Sequence, residues 1–159
     1  MTIAARVDRY FHQNNIDYQI ISHRHSTDSF SSASTSRVPV NQLAKAVILQ
    51  DHQGKRLMAV LPADKKISMR VLNDTYNAKY QLMREDEIYK TFGDCEHGAV
   101  PPLGSAYNMM MACDELLDDL NQVYLEAGDH ETLLRIERSA FQSIMAQARH
   151  LRFGKEMFH

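Results

Sequence analysis

Apolar and polar positions along this chain follow two periods, and the switches between them outline its elements. Ile3, Val7, Tyr10 and Phe11 recur at the spacing of one helix face, so the first dozen residues read as an amphipathic helix ending at Asn14-Asn15. Tyr18 to Ile21 is a short strand. From Ser22 to Ser36 the chain is polar, with five serines between Ser29 and Ser36. Composition makes that stretch a flexible loop; a short helix from about Asp28, capped by Asp or Ser, is the competing reading.

The clearest pattern comes next. Leu43 to Gln50 is apolar and rich in β-formers, Asp51-His52-Gln53-Gly54 is a turn, and Arg56 to Leu61 runs back until Pro62 stops it. Ser68 to Asn73 and Arg84 to Phe92 read as short helices. The second carries Glu85-Asp86-Glu87 in its first turn, where the helix dipole favours acids. Gly93 to Ser105 is loop. Asn108 to Ala112, Gln122 to Glu126 and Thr132 to Ile136 are strands, the last two joined by a turn at Gly128-Asp129. Glu137 to Arg149 closes with a helix whose apolar face is Phe141, Ile144, Met145 and Ala148. The pattern predicts an α+β fold, a single domain over residues 1–159 with an antiparallel or mixed sheet and helices packed around it.

Composition narrows the class of protein. At 159 residues and 44% hydrophobic the chain can bury a real core, and it reads as soluble. No stretch approaches the roughly 20 apolar residues of a membrane span. The first residues lack the basic start and apolar run of a signal peptide. Cys95 and Cys113 form neither a CxxC pair nor a disulfide framework, so a cytoplasmic location is expected. A net charge of −2 argues against a protein that coats DNA or RNA through a broad basic surface; a protein that grips only the end of a tRNA remains allowed.

Two features bear on chemistry. Lys45 stands alone in the apolar run Leu43 to Leu49. Either Lys45 and Val47 face water on an alternating strand, or the lysine holds a phosphate or carbonyl at the mouth of a pocket. The loop from Asp94 to Gly104 has no nucleophile, acid or base at its centre. What it offers is backbone: Gly98 permits unusual conformations, Pro101-Pro102 fixes φ, and the N–H groups of Gly98, Ala99 and Val100 can converge on an anionic oxygen. A plain structural turn is the other reading of that loop.

Lys45 at the head of an apolar strand, followed by Gly98-x-x-x-Pro102 and Leu103-Gly104, resembles the YbaK family, which includes the editing domain inserted in many bacterial prolyl-tRNA synthetases. Leu61-Pro62-Ala63-Asp64, Val123-Tyr124 and Glu126-Ala127-Gly128-Asp129-His130 support the likeness, which runs from about His23 to Met145. The resemblance implies one compact α+β domain around a mixed, barrel-like sheet. It also implies hydrolysis of mischarged aminoacyl-tRNA, with no cofactor and no metal. Lys45 matches the family's key lysine, assigned to the phosphate backbone or terminal adenosine. Gly98 to Pro102 matches the loop whose amides face the substrate carbonyl, and His130 is a looser match to a polar position near the site. The residue after the lysine is often Thr or Asn in the family, and here it is Ala46.

The expected mechanism follows from the ester. Its carbonyl is already activated, so a placed water and a stabilised oxyanion suffice, with the Gly98 and Ala99 amides as donors. The water's proton goes to the substrate's own amino group or vicinal ribose hydroxyl, and His130, Ser26 or Thr27 helps to place that water. Val100, Pro101, Pro102, Leu103 and Gly104 are the expected pocket wall, and with Ala46 they favour a small aminoacyl group of the Ala, Ser, Cys or Thr class. The expected partners are mischarged tRNA and an aminoacyl-tRNA synthetase. The alternative is a non-catalytic module that binds aminoacyl-tRNA or a synthetase with the same fold. Other patterns carry less. Cys95 and His97 are too close in sequence for a thiol–imidazole pair, His23-x-His25 has no completing ligands, and Arg149, Arg152 and Lys155 make a basic tail whose plain reading is a solvated end.

Overall fold

A computed structural model describes residues 3–26 and 28–157 of the chain. Helix α1 (Ala5–Gln13) buries Val7 and Phe11, the face its spacing predicts. Strand β1 (Gln19–Ser22) follows. The serine-rich stretch folds as helix α2 (Ser29–Ser36). Asp28 decides between the two sequence readings: its carboxylate accepts the Ser31 N–H at 2.8 Å, satisfying a donor that a helix start leaves open. The hairpin is β2 (Leu43–Gln50) with β3 (Arg56–Pro62), in unbroken antiparallel register from Ala44↔Pro62 to Gln50↔Arg56.

Strand β4 (Lys65–Ile67) and helix α3 (Met69–Tyr76) come next, the helix started by Ser68, whose hydroxyl accepts the Val71 N–H. A two-residue strand β5 (Gln81–Leu82) precedes helix α4 (Glu85–Thr91). Strand β6 is Met111–Asp114, a few residues later than the sequence pattern suggests, because Asn108 takes a left-handed φ of 55° to end the preceding turn. Strands β7 (Gln122–Glu126) and β8 (Thr132–Glu137) form the second hairpin, and helix α5 (Arg138–Ile144) follows.

The C-terminal stretch departs from expectation. Helix α5 stops at Ile144 instead of running to Arg149, and the basic tail forms strands β9 (Arg149–Leu151) and β10 (Gly154–Glu156). The His150 ring meets the Met145 carbonyl at 2.8 Å, supplying the partner that a helix end lacks. Strand β9 then pairs in parallel with β6, and β10 pairs with β4. Buried Asp114 fixes the corner, accepting N–H groups from Leu116 (2.8 Å), Phe153 (3.1 Å) and Gly154 (2.5 Å).

The main sheet has the order β1-β8-β7-β2-β3-β6-β9, with β5 attached to β2. It is mixed: β2/β7, β3/β6 and β6/β9 are parallel, and the other pairs are antiparallel. One face carries the larger core, where Phe11, Phe92, Leu103 and Phe141 meet Ala44, Ile48, Val60, Leu125 and Leu134. The opposite face packs Leu49, Leu57 and Leu61 against Leu72 and Phe153, and a smaller cluster of Ala33, Leu43, Tyr124 and Leu133 lies under α2. The α+β domain with a mixed sheet and surrounding helices is the predicted one. No described helix is long and apolar enough to cross a membrane.

Candidate active site

Strand β2 is covered unevenly along the edge opposite β3. Strand β7 pairs with it at Leu43 and Ala44, and β5 pairs at Leu49 and Gln50. Between them, residues 45–48 have no strand partner on that edge among the described residues. Alternate residues of a strand turn their peptide groups the same way. The Leu43 carbonyl accepts from Ala63 on the β3 side, and the Ile48 carbonyl accepts from Met83 on the β5 side. Ala46, two residues before Ile48, therefore aims its own N–H and C=O into the gap.

A cavity of about 230 Å³ fills that gap. Ala46, Val47 and Ile48 form one wall, Gly98 and Val100 another, with Ser29, Met83 and Tyr89 among the rest. The fold thus joins β2 to the glycine-proline loop, which lies some fifty residues away in sequence. From that loop only Gly98 and Val100 reach the cavity. Pro101, Pro102, Leu103 and Gly104 are buried in packing instead. Gly104 is pressed so closely against Met111 and the Met109 carbonyl that a Cβ there would overlap both.

The loop amides are not all open. The Gly98 N–H, at a φ of +83°, donates to the Tyr89 hydroxyl at 2.6 Å. The Ala99 N–H donates to the Glu96 carbonyl at 3.1 Å, closing a turn. Val100 has the one amide of the three with no protein partner among the described residues. Oxyanion binding by Gly98 and Ala99 therefore requires exchange of an existing hydrogen bond.

His130 braces this loop from behind. It is 2% exposed, at a left-handed φ of 57°, and its Nε2 lies 2.5 Å from the His97 carbonyl. A carbonyl only accepts, so Nε2 carries the proton, and Nδ1 is buried without a hydrogen bond. The same turn holds the loop a second way, through the Glu96 N–H to the Gly128 carbonyl at 2.7 Å. Ser26 is also structural here: its hydroxyl meets Ser32 Oγ at 2.6 Å, and its N–H reaches the His130 carbonyl at 3.2 Å. Thr27 lies outside the described residues.

Lys45 projects from the other face of β2, the face of Leu43 and Val47. It is half-buried rather than fully in water, and it is not part of the cavity wall. Burial lowers its pKa, opposed by the negative charges of Asp64 and Asp28, yet no carboxylate comes within ion-pair distance of its ammonium among the described residues. A half-desolvated cation of this kind has binding capacity to spare for an anionic ligand.

Glu126, which the sequence does not single out for chemistry, ends β7 beneath α2 with no exposure at all. Burial raises its carboxyl to about 7; the Ser32 and Ser29 hydroxyls pull it down, and Asp129 and Asp28 push it further up. Even so, neither carboxylate oxygen has a hydrogen bond of ordinary geometry among the described residues. The thiol of Cys95 is inert by contrast. Burial pushes it up to about 12, and it sits 3.4 Å from the Tyr107 hydroxyl, while His97 stacks on Tyr89 at 3.9 Å. His25 binds Glu96 at 2.7 Å rather than a metal-ligand set with His23.

Fold and site together define an α+β domain with a small cleft between an open strand edge and a backbone-rich loop, flanked by an unpaired lysine. Residues 23–144 match the aminoacyl-tRNA editing domain family, and the chain belongs to that family. Curated proteins give no match. Among solved structures, the chain is similar to the hypothetical protein APE2540, with 19% identity, TM-score 0.82, and coverage of 94% of this chain and 99% of that one. It is equally similar to a candidate trans-editing enzyme for prolyl tRNA synthetase, with 16% identity, TM-score 0.82, and 96% of each chain covered. A candidate signal transduction protein from Marinobacter aquaeolei VT8 matches 98% of this chain over 31% of its own, at 19% identity and TM-score 0.78. At these identities the likeness is one of fold.

Proposed function

We propose that this chain is an aminoacyl-tRNA deacylase acting in trans, which hydrolyses the ester of tRNA carrying a wrong, small amino acid. The cavity at the open edge of β2 carries the reading. At about 230 Å³ it is smaller than the usual ligand pocket, so it suits one short aminoacyl group and leaves the nucleotide outside. The Ala46 N–H and C=O offer one donor and one acceptor to the ester end of the substrate. Lys45, on the neighbouring face, takes a phosphate of the tRNA 3′ end. The Val100 amide is the first donor available to the oxyanion, joined by Gly98 if its bond to Tyr89 exchanges.

Ala46 presents no hydroxyl or amide side chain, so the pocket discriminates by size, with little selection through a side-chain hydroxyl. Initial deacylation rates on tRNAs charged with Ala, Ser, Cys, Thr, Pro and Phe test this. The four small esters should turn over fastest. Fastest turnover of the Phe ester defeats the size argument, and a sharp preference for Ser over Ala defeats the inference from Ala46.

A second reading has an observation of its own. The Gly98 and Ala99 amides are already engaged, which suits a module that binds aminoacyl-tRNA or a synthetase without hydrolysing anything. Tight binding with no turnover on the whole panel identifies it.

A further inference from the structure

Among the described residues, Glu126 is the carboxylate with both oxygens buried and without a hydrogen bond. The parallel register Leu43↔Tyr124 and Ala44↔Leu125, continued one step, sets Glu126 beside Lys45 on the face that α2 covers. The two strands stop pairing there, and the carboxylate and ammonium form no ion pair. A fully buried carboxyl with both oxygens lacking a hydrogen bond is among the costliest groups a fold can keep. The groups that act on it are Asp28, which caps α2, Ser29 and Ser32 of α2, and Asp129 of the β7–β8 turn, while Lys45 of β2 is next in register with no ion pair to it. Ser29 stands on both sides of the wall: its hydroxyl acts on Glu126, and the residue lines the cavity with Ala46, Gly98 and Val100.

We propose that Ser29 and Glu126 form a proton relay for hydrolysis in this cavity. Ser29 Oγ takes a proton from a cavity water as its own proton passes to the Glu126 carboxylate. The water oxygen bonds to the ester carbonyl carbon, and the carbonyl π electrons move to its oxygen. Collapse of the tetrahedral intermediate breaks the bond to the ribose oxygen, which leaves with the electron pair and regains a proton from Glu126 through Ser29. Free amino acid and uncharged tRNA result, and the relay returns to its starting state. Burial holds Glu126 at about 7, where a base divides its time between both forms at neutral pH. Substrate-supplied base was expected because the 98–104 loop has none; Glu126 lies outside that loop.

This inference rests on the deacylase reading, and the experiment separates the two. The full-length protein is assayed for kcat/KM on alanyl-tRNA from pH 5.5 to 8.5, as wild type, Glu126→Gln and Ser29→Ala. The wild type should gain rate through an ionisation near 7. Glu126→Gln should lose about 100-fold at pH 7.5 and lose that limb as well. Ser29→Ala should lose both to a similar degree. Because the fold disfavours ionised Glu126, stability falls as pH rises from its ordinary carboxylate range through 7, so Glu126→Gln should melt no lower than wild type at pH 8. Wild-type rate in Glu126→Gln, or a lower rate with the pH limb intact, overturns the relay and leaves the deacylase standing. If Glu126→Gln does not fold, an unchanged rate and limb in folded Ser29→Ala overturns it instead. A wild type inactive on every ester overturns the deacylase itself.

Discussion

Replacing His130 with asparagine isolates one interaction that holds the loop against the cavity. Position 130 requires a left-handed backbone, at φ 57°, and asparagine adopts it readily while alanine does not. The ring's removal takes away the hydrogen bond to the His97 carbonyl, 2.5 Å long, worth about 1 kcal/mol net. The imidazole is 2% exposed, so the smaller side chain also leaves a void, costing roughly another 1 kcal/mol. His130→Asn should therefore destabilise by about 2 kcal/mol, and His130→Ala by about 3 kcal/mol once backbone strain is added. In a chain of this length that is a fall of roughly 4–8 °C in Tm for Asn and several degrees more for Ala. Because Gly98 follows the braced carbonyl directly, kcat/KM should drop about tenfold at 25 °C, where both variants are folded. Thermal melts beside deacylation rates measure both quantities. Equal melting of the Asn and Ala variants refutes the backbone argument. An unchanged rate in His130→Asn refutes the brace, and a thousandfold loss with an unchanged Tm makes the ring a base instead.

Lys45→Met keeps an apolar stem of similar length and removes the charge. It should cost about 2 kcal/mol of transition-state binding, roughly 30-fold in kcat/KM, and flatten the salt dependence, while a folded variant with the wild-type rate removes Lys45 from the site. Cys95→Ala should leave kcat/KM within about twofold, since burial, only partly offset by the Tyr107 hydroxyl, keeps that thiol protonated far above neutral pH. Loss of turnover in a stable Cys95→Ala protein restores the thiol as a nucleophile.

How much of this was readable beforehand follows from the range of each interaction. The β2–β3 hairpin was legible because period and turn chemistry are local, whereas the serine-rich stretch read equally as loop or helix until the Asp28 cap was seen. The joining of Ala46 to Gly98 and Val100 was legible only through family resemblance, since spacing says nothing about a gap between β7 and β5. Glu126 ends a strand the pattern predicts, with nothing local to mark it as buried; α2, nearly a hundred residues earlier, is what covers it. The Gly98 bond to Tyr89 likewise depends on α4 packing over the loop. Strands β4 and β5 are too short to show a period, and β9 lies in a stretch whose apolar spacing suits a helix until His150 caps the preceding turn.

The corner at Asp114 governs where this chain tolerates interruption. Three backbone N–H groups converge on one carboxylate with no exposure, and two of them, from Phe153 and Gly154, belong to the last few described residues. Trimming the chain before Phe153 therefore does more than shed a basic end. It strands an anion in the interior and exposes the edge of β4 that β10 covers, inviting edge-to-edge association. A purification tag or fusion partner that must leave the core intact belongs beyond residue 157, with a spacer, and a proteolytic site inserted between Ile144 and Phe153 should turn a folded protein into an aggregating one.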